Sequence, residues 1–202
     1  MRLRIIKIIS VLLVLSACGG SPKSHIYLLK TVEPVQAKFV TQKPLRIYLQ
    51  PVHFPDYLDR PQMVLRQDAV TLDIEEFQRW GEPLNTSFKR VLRENLEMRL
   101  SLATVLNKKI FRAMEFDYQL AIDVSRFDTN VQQQAILQLH WAILNGAGDK
   151  LLFFSSETIT APIKANNFQV RVEAQSETIA ILADKVAAQL RGIKLNGEYE
   201  RE

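Results

Sequence analysis

The run Glu82-Pro83-Leu84-Asn85-Thr86-Ser87-Phe88-Lys89-Arg90-Val91-Leu92-Arg93-Glu94-Asn95-Leu96-Glu97-Met98-Arg99-Leu100 changes the period of the chain. Leu84, Phe88, Val91, Leu92, Leu96 and Leu100 fall at steps of three and four, whereas Lys89, Arg90, Arg93, Glu94 and Glu97 take the opposite face. That spacing predicts an amphipathic helix, with Pro83 near its first turn and Asn85 or Thr86 as caps.

On either side of the helix the period is two. Ahead of it, residues 25–29, 45–50, 62–66 and 69–74 read as strands, with a turn at Gln67-Asp68 and a proline-bounded loop from Pro51 to Pro61. Beyond it, residues 116–124 place Phe116, Tyr118, Leu120, Ile122 and Val124 on one face, and residues 134–144 do the same with Ala135, Leu137, Leu139, Trp141 and Ile143. Asn145-Gly146-Ala147-Gly148-Asp149 predicts a hairpin connection, with residues 151–159 as the returning strand. A closing helix is expected over 170–190, with Val172, Ile179, Leu182, Val186 and Leu190 inward. The order is four strands, a helix, three strands, a helix. A helix between two strand groups can cross from one strand to a parallel neighbour. The expected fold is therefore a single α/β domain with a mixed sheet covered by two long helices. A purely antiparallel sheet with both helices on one side is the alternative.

Composition agrees with a globular chain: 47% of the residues are hydrophobic and 24% charged. The formal charge of +4 is misleading. Arg2, Arg4 and Lys7 precede the apolar run from Ile8 to Leu15, and their loss with residues 1–17 leaves an excess of one positive charge. That is no footprint for nucleic acid.

This N-terminus has the three zones of an export signal. Its apolar run spans about 12 Å as a helix, too short for the ~30 Å core of a bilayer. Leu15-Ser16-Ala17-Cys18 resembles a bacterial lipobox, in which the thiol takes a diacylglyceryl group and small residues before it admit a peptidase. Cys18 is the only cysteine, so no intramolecular disulfide can form, and lipidation is the expected use of its thiol. By resemblance to enterobacterial lipoproteins, Gly19 in place of Asp suggests sorting to the outer membrane. Residues 18–24 thus read as a lipidated cysteine with a short tether, residues 25–192 as the folded domain and residues 193–202 as a polar tail expected to be mobile. Gly19 to Ser24 reach at most about 20 Å, so the domain is expected close to its membrane and a partner from the other membrane must come to it.

Signals for chemistry are sparse. His25, His53 and His140 are far apart, and the sequence has no His-Glu-x-x-His, no nucleophile elbow and no phosphate-binding loop. Gly146-Ala147-Gly148 joins two strands and is read as a turn. Asp56 and Asp59 with His53 could be drawn as an acid/base site, but such residues normally cap turns and pair with a neighbour such as Arg60. No cofactor or metal is expected. Two segments combine aromatic, apolar and cationic side chains as interfaces do: Pro55-Asp56-Tyr57-Leu58-Asp59-Arg60-Pro61-Gln62-Met63-Val64-Leu65-Arg66, and Arg79-Trp80-Gly81-Glu82-Pro83-Leu84. Their architectural reading, in which Tyr57 and Trp80 simply pack, stands equally beside the recognition reading.

Together with Val91-Leu92-Arg93-Glu94-Asn95-Leu96, Ile26-Tyr27-Leu28-Leu29 and Val124-Ser125-Arg126-Phe127-Asp128, these segments resemble the PqiC family across nearly the whole mature chain. These are ABC-type transport auxiliary lipoproteins of paraquat-inducible systems. Gly81 departs from the alanine expected there. The resemblance implies a non-enzymatic outer-membrane lipoprotein that faces the periplasm and supports envelope integrity. It would work with a periplasm-spanning MCE-domain protein in moving phospholipids or other hydrophobic molecules, and it admits a homo-oligomer. Tyr57, Leu58, Arg60, Arg79 and Trp80 are then the candidate contacts. The competing expectations are a lipid carrier that holds acyl chains itself and an envelope hydrolase using His53 and Asp56.

Overall fold

A computed structural model describes residues 22–34, 44–106 and 114–199, with side chains through 193. Its elements in chain order are β1 (His25–Tyr27), β2 (Leu45–Leu49), a 3-10 turn (Asp56–Leu58), β3 (Gln62–Arg66), β4 (Leu72–Trp80), α1 (Leu84–Arg99), β5 (Ala103–Leu106), β6 (Tyr118–Asn130), β7 (Gln134–Asn145), β8 (Leu151–Pro162) and α2 (Phe168–Tyr199). The strands form one eight-stranded mixed sheet. Cys18 lies outside the described residues.

β6 is the centre of this sheet. It pairs with β7 antiparallel along nearly its whole length, from Tyr118 opposite Asn145 to Thr129 opposite Ala135, and β7 pairs in turn with β8. Its other side is shared end to end: β2 lies parallel to its start (Leu49 opposite Leu120) and β3 parallel to its end (Leu65 opposite Thr129). β5 extends the sheet beyond β2, whereas β4 and then β1 extend it beyond β3. Parallel pairs require crossovers, and α1 supplies one by carrying the chain from β4, next to the β1 edge, across to the β5 edge.

Both helices cover one face of the sheet. Leu84, Phe88, Val91, Leu92 and Leu96 of α1 and Val172, Ile179, Leu182, Val186 and Leu190 of α2 are buried in one cluster with Leu120, Ile122, Val124, Leu137 and Leu139. Phe54, Phe88 and Phe127 meet edge to face at centroid separations of 5.3, 5.6 and 6.3 Å, a geometry favoured by ring quadrupoles. The opposite face exposes Asp123, His140, Ser156 and Thr158.

Several elements extend or depart from the sequence expectations. β6 continues six residues past Val124, because Ser125 forms a bulge. The extra residue shifts the parity, so Leu120, Ile122 and Val124 are followed on the buried face by Phe127 and Thr129. β4 does not end at Ile74 but runs to Trp80, so Arg79 and Trp80 close a strand instead of opening the helix. β5 adds a strand after α1, entered through Leu102 at φ 58°. Neither Asn85 nor Thr86 caps α1; Pro83 holds the cap position, and its carbonyl accepts the amides of Thr86 and Ser87. α2 stays helical to Tyr199.

In the β7–β8 connection, Asn145 Oδ1 gathers the amides of Gly148, Asp149 and Lys150 at 2.9–3.2 Å. Gly146 lies so close to the Phe116 carbonyl that a Cβ would fall 1.7 Å from its oxygen, and Gly148 has φ +83°. The turn expected from the sequence is thus fixed by a side-chain acceptor and two glycines.

Candidate functional site

The two interface-like segments meet at one end of the sheet, where β3 begins and β4 ends. The chain from Pro51 to Pro61 joins β2 to β3 beside β6, and its anchors point inward. Val52 and Leu58 are buried, and Phe54 packs on Phe88 and Phe127. The main chain of His53 bridges β6 by donating to Ile122 O at 3.4 Å and accepting from Val124 N at 3.0 Å.

Tyr57 is half-buried and is held by charge. The Arg66 guanidinium sits 5.7 Å from its ring centroid, and Arg66 Nη2 donates to its hydroxyl at 3.4 Å. Arg66 Nε also reaches Asp128 Oδ2 at 2.9 Å, while Arg126 Nε reaches Asp128 Oδ1 at 2.8 Å. A wholly buried carboxylate is therefore clamped by two arginines, the arrangement a charge needs when it leaves water. Burial, and next the Asp128 carboxylate, raise the Tyr57 phenol above the ordinary tyrosine range despite Arg66. The phenol stays protonated and fixes the 3-10 turn over β3.

Beside this clamp, Asp59, Arg60 and Pro61 face Trp80, Glu82 and Pro83 across an open cleft of about 300 Å³. Two backbone bonds set its width: Trp80 N donates to Pro61 O at 2.7 Å, and Gly81 N donates to Tyr27 O at 2.8 Å. Arg60 Nε is buried there with no hydrogen-bond partner among the described residues. Glu82 accepts from Arg90 Nε and Nη2 at 3.1 and 2.7 Å. Burial works to raise the Glu82 carboxyl, but bonds from Arg90 and Ser87 outweigh it and hold the group below the ordinary glutamate range.

Of the five candidate contacts, the structure brings Arg60 and Trp80 to one cleft. Trp80 lines it but is 8% exposed and, like Leu58, belongs to the core cluster. Tyr57 belongs to the arginine clamp. Arg79 is half-buried on β4, opposite Gln62 and alongside Ile26 of β1. His53 and Asp56 are exposed, and no cluster of three or more His, Cys, Asp or Glu able to hold a metal occurs among the described residues.

The sequence reading passed over a polar lock between the helices. Arg99, buried on α1, donates to both carboxylate oxygens of Asp184 on α2 at 2.6 and 3.2 Å, and to Val32 O at 3.3 Å. Asn95 Oδ1 accepts from Val32 N at 3.2 Å, and Ser176 Oγ from Lys30 N. Residues 28–34 thus form a strap across both helices. The available signal was Asn95 and Arg99 on the apolar stripe of α1.

The family model for the ABC-type transport auxiliary lipoprotein component matches residues 27–187, in agreement with the PqiC-like motifs. An uncharacterised protein of known structure superposes with a TM-score of 0.70 at 15% identity, covering 84% of this chain and 99% of that one. A DUF330 protein from Xanthomonas campestris superposes with a TM-score of 0.68 at 15% identity, covering 87% and 99%. At that identity the likeness speaks for the fold alone. No curated sequence matches the chain.

Proposed function

Because the chain belongs to the ABC-type transport auxiliary lipoproteins, we propose that it is acylated at Cys18, held at the outer membrane facing the periplasm, and docks a periplasm-spanning MCE-domain protein of an intermembrane lipid transport system. Its family is not a class of enzymes, and this protein acts in the proposal as a receiving or docking component that supports envelope integrity. It needs no cofactor and no nucleic acid.

The observation that carries the docking assignment is the meeting of Arg60 and Trp80, twenty residues apart in sequence, in one open cleft whose walls are fixed by main-chain bonds. An arginine with an unpartnered buried nitrogen beside a tryptophan is the kind of anchor pair that carries interface energy. Arg79, next to Trp80 on β4, takes the other face of the sheet, whereas Tyr57 and Leu58 act from beneath by holding the loop in place.

The test is crosslinking in intact cells from a photoreactive residue at Arg60, with the captured protein identified by mass spectrometry. An MCE-domain protein is the expected capture. Recovery of only unrelated envelope proteins from a folded, membrane-bound chain overturns the docking assignment.

The second reading, a carrier with acyl chains in its own interior, has less support. Phe88, Phe127, Leu92, Leu120 and Leu139 fill the space between helices and sheet, and the clefts found at the described surface are lined by charged side chains. Stoichiometric lipid in the purified protein, beyond its own covalent acyl groups, would favour it.

A further inference from the structure

Ile26 and Leu28 are 70% and 55% exposed. They protrude side by side next to Gly81, where a Cβ would lie 3.0 Å from Ile26 Cγ2 and 3.0 Å from Leu28 Cδ2. Folding does not use this apolar pair, since Leu29, Tyr27 and the strap residues around it make the contacts with the core and the helices. Phe77, 39% exposed on the neighbouring strand, shares the face of Arg79, which the register pairs with Ile26.

Position along the chain says what covers the pair. Ile26 follows Cys18 by eight residues, at most about 29 Å when extended. A Gly/Ser-rich linker of that length averages only about 15 Å end to end. No other strongly exposed apolar side chain among the described residues lies so near the anchor in sequence; Val70 and Leu102 are far along the chain. Lys23, exposed, and Arg79 flank the pair, and neither makes an ion pair among the described residues. Acids lie close as well: Glu82 and Glu94 line the cleft that Leu28 borders and pair with Arg90, and Glu76 on β4 accepts from Gln62. Exposed apolar side chains bordered by charged groups and tied by a short tether to an acylated residue suit the boundary of headgroups and acyl chains. A strand-adding protein suits the site poorly, because β1 offers three residues and the chain beyond it is already bonded to Arg90 and Ser176.

We propose that Ile26 and Leu28 form a membrane-contact patch that seats the β1 end of the domain on the leaflet holding its acyl chains. The bilayer is the occupant. The assignment rests on acylation of Cys18 and adds an orientation to it: the Arg60–Trp80 cleft, on the same end of the sheet, opens beside the lipid surface.

The experiment uses the full acylated chain in vesicles of phosphatidylethanolamine and phosphatidylglycerol. Cysteine is introduced by Ile26→Cys, Leu28→Cys or, as a distant control, Val70→Cys, and carries an environment-sensitive fluorophore. All three positions are exposed, so the fold is retained. The expected result is a blue-shifted emission and severalfold weaker quenching by aqueous iodide at positions 26 and 28 than at 70. Equal quenching at all three positions in vesicle-bound protein overturns the proposal. Shielding that persists in detergent and grows with protein concentration also overturns it, by giving the face to a second copy. The unsubstituted chain takes up the thiol label only if Cys18 is free; that result, with failure to float with the vesicles, sinks the anchoring reading itself and is distinguishable from loss of the patch.

Discussion

The two ends of the sheet are held together differently. The β6–β7–β8 meander with α2 is a mainly apolar assembly, in which inward residues alternate along long strands broken by single bulges, with the Lys185–Glu157 pair at its surface. The β1–β4 end has short strands and a long proline-bounded connection. Charged groups fasten it to the meander and α2: Arg66 of β3 meets Asp128 of β6, which Arg126 also holds, and Arg99 of α1 meets Asp184 of α2, while Arg90 holds Glu82 within the end itself. Area burial dominates within the meander, and directional bonds dock the other end onto it. An end fastened by directional bonds can leave apolar and aromatic side chains at its surface without collapsing around them, and both proposed contact surfaces lie there.

Four substitutions and one condition probe that difference. Phe127→Ala removes the ring shared by Phe54 and Phe88, and the expected loss is about 4 kcal/mol in urea unfolding. Asp128→Ala, one residue away, strands two arginines and should cost roughly 3 kcal/mol. If it costs less than half of the Phe127→Ala loss, the clamp is ornamental and the contrast between the ends fails. Acidification comes next. Glu82 and Glu157 have carboxyls held below the ordinary range, against burial, by Arg90 and Lys185 respectively. Groups so depressed contribute stability above their unfolded pKa and lose it as pH falls through the folded one. Urea midpoints should therefore drop on acidification through the carboxylate range, and Glu82→Gln should flatten that dependence by about 1 kcal/mol, the pair being partly exposed. The smallest effect is expected for Gly81→Ala. The new methyl meets only the exposed side chains of Ile26 and Leu28, which can shift by a few tenths of an ångström into solvent, so thermal melting should register less than ~0.5 kcal/mol either way.

Legibility in the sequence followed the same division. α1 and β7 announce themselves because one face is buried along their length, so period and burial coincide, and β8 follows from the turn signal that returns it to β7. β4 was cut short because its faces are mostly half-buried or exposed, and Asp73, Glu75 and Glu76 give no apolar alternation to count. The continuation of β6 was hidden by the bulge at Ser125, which breaks the alternation while preserving the buried face. β5, four residues long, is defined by pairing with β2 and not by any pattern of its own. At the candidate site, residue types were readable but their depth was not. Leu58 and Trp80 look like interface anchors in sequence, yet both belong to the core cluster. In the Asn95–Arg99–Asp184 lock, Asn95 and Arg99 sit one turn apart on the stripe of α1, but their partner Asp184 lies 85 residues on, beyond any local pattern.

The end-to-end sharing of β6 by β2 and β3 governs when the molecule can form. Synthesised or delivered N-terminus first, the first hundred residues hold a hairpin and a helix but lack the strand that both β2 and β3 require. Their pairing must wait for residues 118–130, so closure is non-local and slow compared with helix formation. A chain built in this order stays threadable through a narrow channel until most of it has emerged on the far side.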